Sequence, residues 1–332
     1  EALQRDPSDT RSNNALGLWL LRRGQFKAAE PYFRAAVKTL TQRNPNPYDG
    51  EAYYNLGWSL KLQGKHEEAF ACFYKSVWND AWQHAGYLNL ARIAAGNKDF
   101  EQALELIERS LIRNYHSHTA RHLKVVLLRK QGSIQEAAAL IEESIGLDPF
   151  NFGCLFEKNI LFRDQNPQLA NEAKEQLCGL SRNWVHNYIE YALDYAHAGL
   201  YDEAIEFFEI YLAHAEKPYP MVFYYLGWFE SRRGNEQKCN EYYCKATSLS
   251  VDYCFPNRIE DVIVLEEAKR ANAEDMHAPY LLGNFWYDRR QYKEAVACWE
   301  RAVQIDDSFP TVHRNLSLAY YNKLNDPQKA LA

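Results

Sequence analysis

The 332-residue sequence has few of the residues that interrupt helices, with 12 prolines and 15 glycines. This scarcity disfavours an all-β chain rich in turns. It also lacks any apolar run near the roughly 18 residues that a membrane-spanning helix needs. Its first residues are polar, unlike a signal peptide. We therefore expect no membrane span and a cytoplasmic location.

Positive charge and paired cysteines are scarce as well. The formal net charge is −6, so the chain lacks the excess of Lys and Arg that nucleic-acid binders use to displace counterions. The seven cysteines are an odd number without any Cys-x-x-Cys pair, which predicts free thiols in a reducing compartment. These features argue against a protein that binds nucleic acid through bulk electrostatics. They also argue against a fold held together by disulfides.

Sequence motifs of catalysis are missing. Neither Gly-x-Ser-x-Gly nor Gly-x-Gly-x-x-Gly occurs. Gly64-Lys65-His66 lacks the other residues of a phosphate-binding loop. His118 and His122 are one helical turn apart and could share a metal, but a polar helix start is the preferred explanation. We predict a chain that is not an enzyme, with no catalytic residue, metal site or cofactor.

The sequence is instead dominated by an internal repeat. A small residue that follows a large apolar one recurs after 34 residues from Gly57 to Ala91. Another small residue follows each of these after 12 positions, and a large one four positions later, as in Ala69 and Phe73. A turn slot lies between them and is occupied by Gly24, Gly64, Lys98, Gly132, Gly199, Gly234 and Arg290.

In residue type, order and period this pattern resembles the tetratricopeptide repeat family. The resemblance implies an all-α fold, a right-handed superhelical solenoid of antiparallel helix pairs. The small residues would lie where the two helices of a pair cross closely, and the large ones would fill the space beside the crossing. Neighbouring pairs would stack to form one continuous core.

Irregularities in the repeat predict five segments. Two helices, Asn151–Phe162 and Leu169–Leu180, should form the degenerate pair, and Arg258–Ala271 should form an extra helix. The predicted segments are an N-terminal block of about four units (1–150), the degenerate pair (151–183), a middle block of two units (184–250), the inserted helix (251–275) and C-terminal units of which the last is truncated (276–332).

The last quarter has a narrower resemblance. Phe255-Pro256-Asn257-Arg258 and the stretch from Ala278 to Asn284 are similar to the repeat tail of large bacterial proteins whose N-terminal β-rich domain is associated with carbohydrate chemistry. The resemblance implies a bacterial cytoplasmic protein linked to sugar metabolism. Because neither end of the sequence carries an obvious polar capping helix, we also expect the chain to be excised from a longer protein. The alternative function is then a helical accessory region of a sugar-metabolism protein.

The family's geometry assigns the first helix of each pair to a concave groove. The ligand-groove residues expected there are Tyr54, Trp58, Arg92, His122, Arg129, Tyr224, Trp228, Arg232, Tyr280, Asn284, Tyr287 and Arg314. Two Tyr/Trp pairs are spaced i, i+4, which suits an extended peptide or a sugar ring. Alternatively, the aromatic residues pack against the next helix and the basic residues form a solvated rim.

We therefore predict a non-catalytic scaffold that binds an extended peptide or a partner surface in an aromatic and basic groove. The expected partner is a protein or peptide, including the missing remainder of its own chain. A glycan stays open as a ligand, whereas nucleic acid is not expected.

Overall fold

The computed structural model describes residues 1–331, and in this range every regular element is a helix. The chain divides into two compact units. Unit 1 comprises Glu1–Leu21 and Gln25–Ala215, and unit 2 comprises Arg22–Gly24 and the residues from Glu216 onward. The predicted all-α architecture is confirmed. Within residues 1–331 no helix is both long and apolar enough to cross a membrane.

Most helices of unit 1 form antiparallel pairs. They are α1 (Ala2–Arg5), α2 (Thr10–Arg22), α3 (Phe26–Leu40), α4 (Glu51–Leu62), α5 (His66–Ser76), α6 (Gln83–Gly96), α7 (Phe100–Arg113), α8 (His118–Lys130), α9 (Ile134–Leu147), α10 (Phe152–Phe162), α11 (Pro167–Ser181), α12 (Val185–His197) and α13 (Tyr201–Leu212). A short 3₁₀ helix (Asp80–Trp82) precedes α6. Each pair packs on the next, and α6 also reaches α12.

Unit 2 contains the remaining helices. They are α14 (Pro220–Arg232), α15 (Glu236–Thr247), α16 (Ile259–Ala271), α17 (His277–Asp288), α18 (Tyr292–Ile305), α19 (Pro310–Ala319) and α20 (Pro327–Leu331), with a π-helical turn (Tyr320–Leu324) before α20. The helix predicted at Arg258–Ala271 is α16, which packs on α14 and α17. The segment predicted as a degenerate pair contains α10 and α11.

The repeat pattern has a direct physical origin at the helix crossings. A Cβ atom added to Gly57 would lie 2.8 Å from Cε1 of the fully buried Phe73, and one added to Gly283 would lie 2.4 Å from Nε1 of Trp299. Contacts this short force the helices apart. The pairing of a small residue with a large one 16 positions later is therefore a requirement of close helix packing.

The turn slot also has a backbone requirement. All seven residues predicted to occupy it have positive φ angles, from 58° to 81°. Glycine adopts this left-handed region freely, whereas other residues pay a steric penalty. Lys98 (φ 63°) and Arg290 (φ 58°) occupy the slot without being glycine, so the turns at these two positions are strained.

The cysteines form no disulfide among the described residues. Cys154 and Cys254 are buried, and burial raises the pKa of each thiol to about 12. A thiol with such a pKa stays protonated and inert at neutral pH. These cysteines are packing residues.

Candidate ligand-binding surfaces

Four of the expected groove residues come together in unit 2. Tyr280, Asn284 and Tyr287 on α17 and Arg314 on α19 line one open cavity of about 650 Å³. We call this cavity the α17–α19 groove. Its other lining residues include Asp252, Tyr253, Phe255, Asp288, Trp299, Thr311, Asn315 and Leu318. The four residues meet because equivalent positions on the first helices of successive pairs lie side by side.

The floor of the groove is held by a hydrogen-bond network. The indole Nε1 of Trp299 donates to the backbone oxygen of Tyr280 and to Oδ1 of Asn284, both at 3.2 Å. The amide Nδ2 of Asn315 donates to the same Oδ1 at 3.4 Å. With its oxygen engaged, Asn284 presents Nδ2, which has no acceptor among residues 1–331. An amide Nδ2 in this position can donate a hydrogen bond.

The rim of the groove is apolar and exposed. Tyr253 is 89% exposed and Phe255 is 63% exposed, and both belong to the loop before α16. Tyr253 has a φ of 59°, an uncommon conformation for a bulky residue. Leu318 on α19 adds a further exposed apolar side chain. Exposed apolar groups gathered beside a cavity are typical of a binding site.

Arg314 supplies the groove with an unpaired positive charge. Its guanidinium makes no hydrogen bond or ion pair within the described part of the chain, and the side chain is exposed. The carboxylates nearby already have partners. Asp288 lies 3.6 Å from Arg289, and Asp252 accepts a hydrogen bond from Ser250 at 2.9 Å. The guanidinium is therefore free to form a paired, charge-assisted hydrogen bond with a carboxylate.

The basic residues expected in the groove of unit 1 bind carboxylates of their own chain. Arg92 lies 2.7 Å from Asp194 on α12. Arg129 donates to both carboxylate oxygens of Glu157 at 2.6 and 3.2 Å, and it also reaches Glu203 at 3.1 Å. These ion pairs join α6 to α12 and α8 to α10 and α13 within unit 1.

The carboxylates of this network are deeply buried. Glu157 is 0% exposed and accepts a further hydrogen bond from the hydroxyl of Tyr195 at 2.6 Å. Lys130 lies 2.5 Å from Glu203. Burial acts to raise the pKa of Glu203, but the hydrogen bond and charge of Lys130 and the charge of Arg129 hold this pKa below its ordinary value. The Glu203 carboxylate thus remains charged and paired at neutral pH.

His122 lies in the same interior. Its ring stands edge-on to Tyr195, with ring centroids 4.6 Å apart, and its Nε2 has no hydrogen-bond partner in the described chain. Burial lowers the pKa of His122 to about 4. His118 is half-exposed and lies 3.4 Å from Asp148 instead. Residues 1–331 contain no group of three or more metal-binding side chains.

The first Tyr/Trp pair forms a half-buried aromatic cluster. The indole Nε1 of Trp58 donates to the hydroxyl of Tyr54 at 2.8 Å, and the Tyr54 ring lies 4.8 Å from that of Trp82. The Trp58 ring also meets His197 edge-on at 5.7 Å, with Lys61 Nζ 5.2 Å away. These rings pack mainly against one another.

The second Tyr/Trp pair is more deeply enclosed. Tyr224 is 0% exposed, and its hydroxyl donates to Asp275 at 2.9 Å. Trp228 is buried under Arg232, whose guanidinium lies 5.7 Å from its ring and 2.6 Å from Glu267. The structure thus places Tyr224, Trp228 and Arg232 in contacts within unit 2.

Comparison with protein families gives three matches. Models described as tetratricopeptide repeat match residues 9–77 and 88–152, and one described as TPR repeat matches residues 283–323. Together these matches lie in both units. None of them bears on the predicted link with carbohydrate chemistry.

Solved structures similar to this chain include other helical-repeat proteins. YrrB, described as a TPR protein with an unusual peptide-binding site, is 15% identical over 57% of this chain and 95% of its own, with a TM-score of 0.46. A MamA RS-1 double mutant is 16% identical over 52% and 94%, with a TM-score of 0.47. PilF of Pseudomonas aeruginosa is 12% identical over 81% and 100%, with a TM-score of 0.42. At these values the likenesses say nothing about what this chain binds.

Proposed function

The chain belongs to the tetratricopeptide repeat family, and we propose that it is a non-catalytic interaction scaffold whose α17–α19 groove binds an extended peptide. The observation that carries this proposal is the unpaired Arg314 beside an exposed aromatic rim. The other arginines predicted to line the groove each form an ion pair with a carboxylate of the same chain. They are Arg92, Arg129 and Arg232. Arg314 has none within residues 1–331.

The chemistry of the groove selects the peptide. A carboxylate, from an acidic side chain or a C-terminus, would pair with Arg314. A neighbouring backbone carbonyl would accept from Nδ2 of Asn284, and an apolar side chain would cover Tyr253 and Phe255. The groove has no second free cation, which favours one carboxylate in the bound segment.

A peptide-display library panned against the full chain tests the proposal. We expect the enriched peptides to share one carboxylate beside an apolar residue. Arg314→Gln should weaken their binding about tenfold, the loss of roughly 1.4 kcal/mol that a central charged contact contributes. Tyr253→Ala with Phe255→Ala should weaken it by a similar factor. Arg43→Gln, which alters an exposed arginine of unit 1, is the matched control and should leave binding unchanged.

Two results would contradict the proposal. One is a set of enriched peptides that bind the Arg314→Gln variant as well as the unaltered protein. The other is an equal loss with Arg43→Gln, because that would indicate a general charge effect and no groove.

A further inference from the structure

The α17–α19 groove contains more negative than positive charge. Asp252, in the loop before α16, and Asp288, at the end of α17, line the same cavity as Arg314. All three side chains are exposed, and within residues 1–331 no ion pair joins Arg314 to either aspartate. A ligand carboxylate paired with Arg314 would therefore leave two uncompensated negative charges beside it.

The charge of Asp288 is weakly compensated by its own chain. In the described part of the chain, the cation within 4 Å of Asp288 is Arg289, whose Nε lies 3.6 Å away, beyond hydrogen-bond distance. Nη2 of Arg289 instead donates to the backbone oxygen of Asn257 at 2.7 Å, and its guanidinium lies 5.3 Å from the ring of Phe285. Because the Asp288 side chain is 69% exposed, water screens what remains of its attraction to Arg289.

Helix stability does not account for Asp288 either. This residue is the last of α17, and the C-terminal end of a helix carries a partial negative charge that disfavours a carboxylate. Asp288 lies one helical turn after Asn284, so the two occupy the same face of α17 and both line the groove. The carboxylate and the end of the helix together make this part of the groove attractive to a cation.

Asp252 has a partner without charge. Its carboxylate accepts a hydrogen bond from the hydroxyl of Ser250 at 2.9 Å, and no cation of residues 1–331 forms an ion pair with it. Asp252 precedes the exposed Tyr253, and Asp288 follows Tyr287, so each carboxylate is the neighbour of a tyrosine that lines the groove. A cation is attracted both to a carboxylate and to the face of an aromatic ring.

The cation that fits this arrangement is the side chain of a lysine or an arginine. A metal ion fits less well, because residues 1–331 contain no group of three or more metal-binding side chains. A basic side chain needs no such group, since one or two carboxylates and an aromatic ring are sufficient to bind it.

The geometry of an extended peptide sets the distance between its acidic and its basic residue. Alternate side chains point to the same side, so residues two positions apart enter one groove about 7 Å from each other. Residues four positions apart would be separated by about 13 Å, which is long for a cavity of about 650 Å³. Building on the function proposed for this groove, we propose that its peptide carries a basic residue two positions from the acidic one. The acid then pairs with Arg314 and the base faces Asp252 and Asp288.

Ligand-detected NMR titrations of the full chain with short peptides test this. The probes are pentapeptides with acetyl and amide caps, which remove the terminal charges. Leu-Asp-Ser-Lys-Leu and Leu-Lys-Ser-Asp-Leu place the acid and the base two positions apart in either order. Leu-Asp-Ser-Gln-Leu lacks the base, and Leu-Asp-Lys-Ser-Leu has the same composition with adjacent charges. We expect the better of the first two to bind about fivefold more tightly than either control peptide, as a partly exposed charge pair beside an aromatic ring allows.

Variants of the protein assign this preference to the two aspartates. Asp252→Asn with Asp288→Asn should abolish the fivefold preference but leave Leu-Asp-Ser-Gln-Leu bound at least as tightly, which also shows that the variant is folded. Glu101→Gln with Asp164→Asn is the matched control, because it removes two exposed carboxylates of unit 1 and should preserve the preference.

Reversal of the charge gives a second measurement that depends on a gain of binding. Asp288→Lys should reverse the preference of the groove, so that Leu-Asp-Ser-Glu-Leu binds this variant more tightly than Leu-Asp-Ser-Lys-Leu does. The unaltered protein should show the opposite order. A general loss of structure cannot produce this exchange.

The outcomes separate this inference from the proposed function. If the basic residue gives no gain in either order, while Arg314→Gln still weakens all aspartate peptides, the inference is wrong and the groove remains a site for acidic peptides. The same holds if the Glu101→Gln, Asp164→Asn control loses the preference as fully as the Asp252→Asn, Asp288→Asn variant does. If none of the aspartate peptides binds at millimolar concentration, the proposed function is overturned, and this inference with it.

Discussion

Loss of the Arg129 side chain should expose the role of the buried charges in unit 1. Arg129→Met removes both hydrogen bonds to Glu157 and the contact with Glu203. Glu157 would remain fully buried with Tyr195 as its remaining donor. Leaving one member of a buried ion pair uncompensated costs about 3–5 kcal/mol of unfolding free energy. We expect the lower end, about 3 kcal/mol, because Lys130 still neutralises Glu203.

Thermal unfolding followed by circular dichroism measures this loss. A change of 1 kcal/mol shifts the melting temperature by roughly 2–4 °C in domains of 150–250 residues, so a fall of roughly 6–12 °C is expected. Arg109→Met is the matched control. Arg109 pairs with Glu105 on the surface of α7, where the two side chains are 50% and 63% exposed. Such a pair contributes at most about 1 kcal/mol.

A double variant sharpens the interpretation. Arg129→Met with Glu157→Met removes both charges, so no buried carboxylate is left without its cation. It should be less destabilised than the sum of the single variants. If Arg129→Met is no more destabilising than Arg109→Met, the buried network does not hold α8 to α10 and α13. Arg129 would then be available to a ligand, contrary to our reasoning.

Other changes have defined outcomes. Lys98→Gly should stabilise the chain by up to about 1 kcal/mol, because it removes the strain of a left-handed backbone. Gly132→Ala should destabilise it by about 1 kcal/mol through the same backbone strain, since the added Cβ meets no other atom. The midpoints of urea unfolding measure both changes. Gly283→Ala should cost about 1–3 kcal/mol in the same assay, because its Cβ would lie 2.4 Å from Trp299. Burial lowers the pKa of His122 in the folded protein from 6.5 to about 4. The unfolded chain therefore binds a proton at His122 more readily than the folded chain does, and stability falls as the pH drops below 6.5. His122→Leu should abolish about 2 kcal/mol of the loss measured between about pH 7 and pH 5.

The sequence predicted the features that depend on local residue types. Gly57 leaves room for the ring of Phe73 and Gly132 occupies a left-handed turn, and both features recur at the period of the repeat. Convergence of Tyr280 and Arg314 was predictable for the same reason, since they occupy related positions in consecutive units. The rim residue Tyr253 was missed because it lies in the loop before α16, outside the repeat pattern.

The ion pairs that Arg92 and Arg129 form within unit 1 could not be predicted from the repeat. Arg92 and Asp194 are 102 residues apart, and Arg129 and Glu203 are 74 apart. The pattern assigns each residue a position within its own helix pair, but it carries no information on which pairs several units apart come into contact. In repeat arrays the small rotation from each unit to the next adds along the chain and decides which distant units meet.

A cation on a first helix is therefore no evidence of a ligand by itself. Arg92 and Arg129 are neutralised because later helices bring carboxylates to them, on α12 for the first and on α10 and α13 for the second. Arg314 stands in a comparable position, but the described chain supplies it with no carboxylate, while exposed Tyr253 and Phe255 stand at the rim of the same cavity. An exposed, unpaired cation beside apolar surface retains its capacity to bind an anion. For that reason we propose that an acidic peptide gains a contact in the groove of unit 2, and not at Arg92 or Arg129 of unit 1, which already make their contacts within the protein.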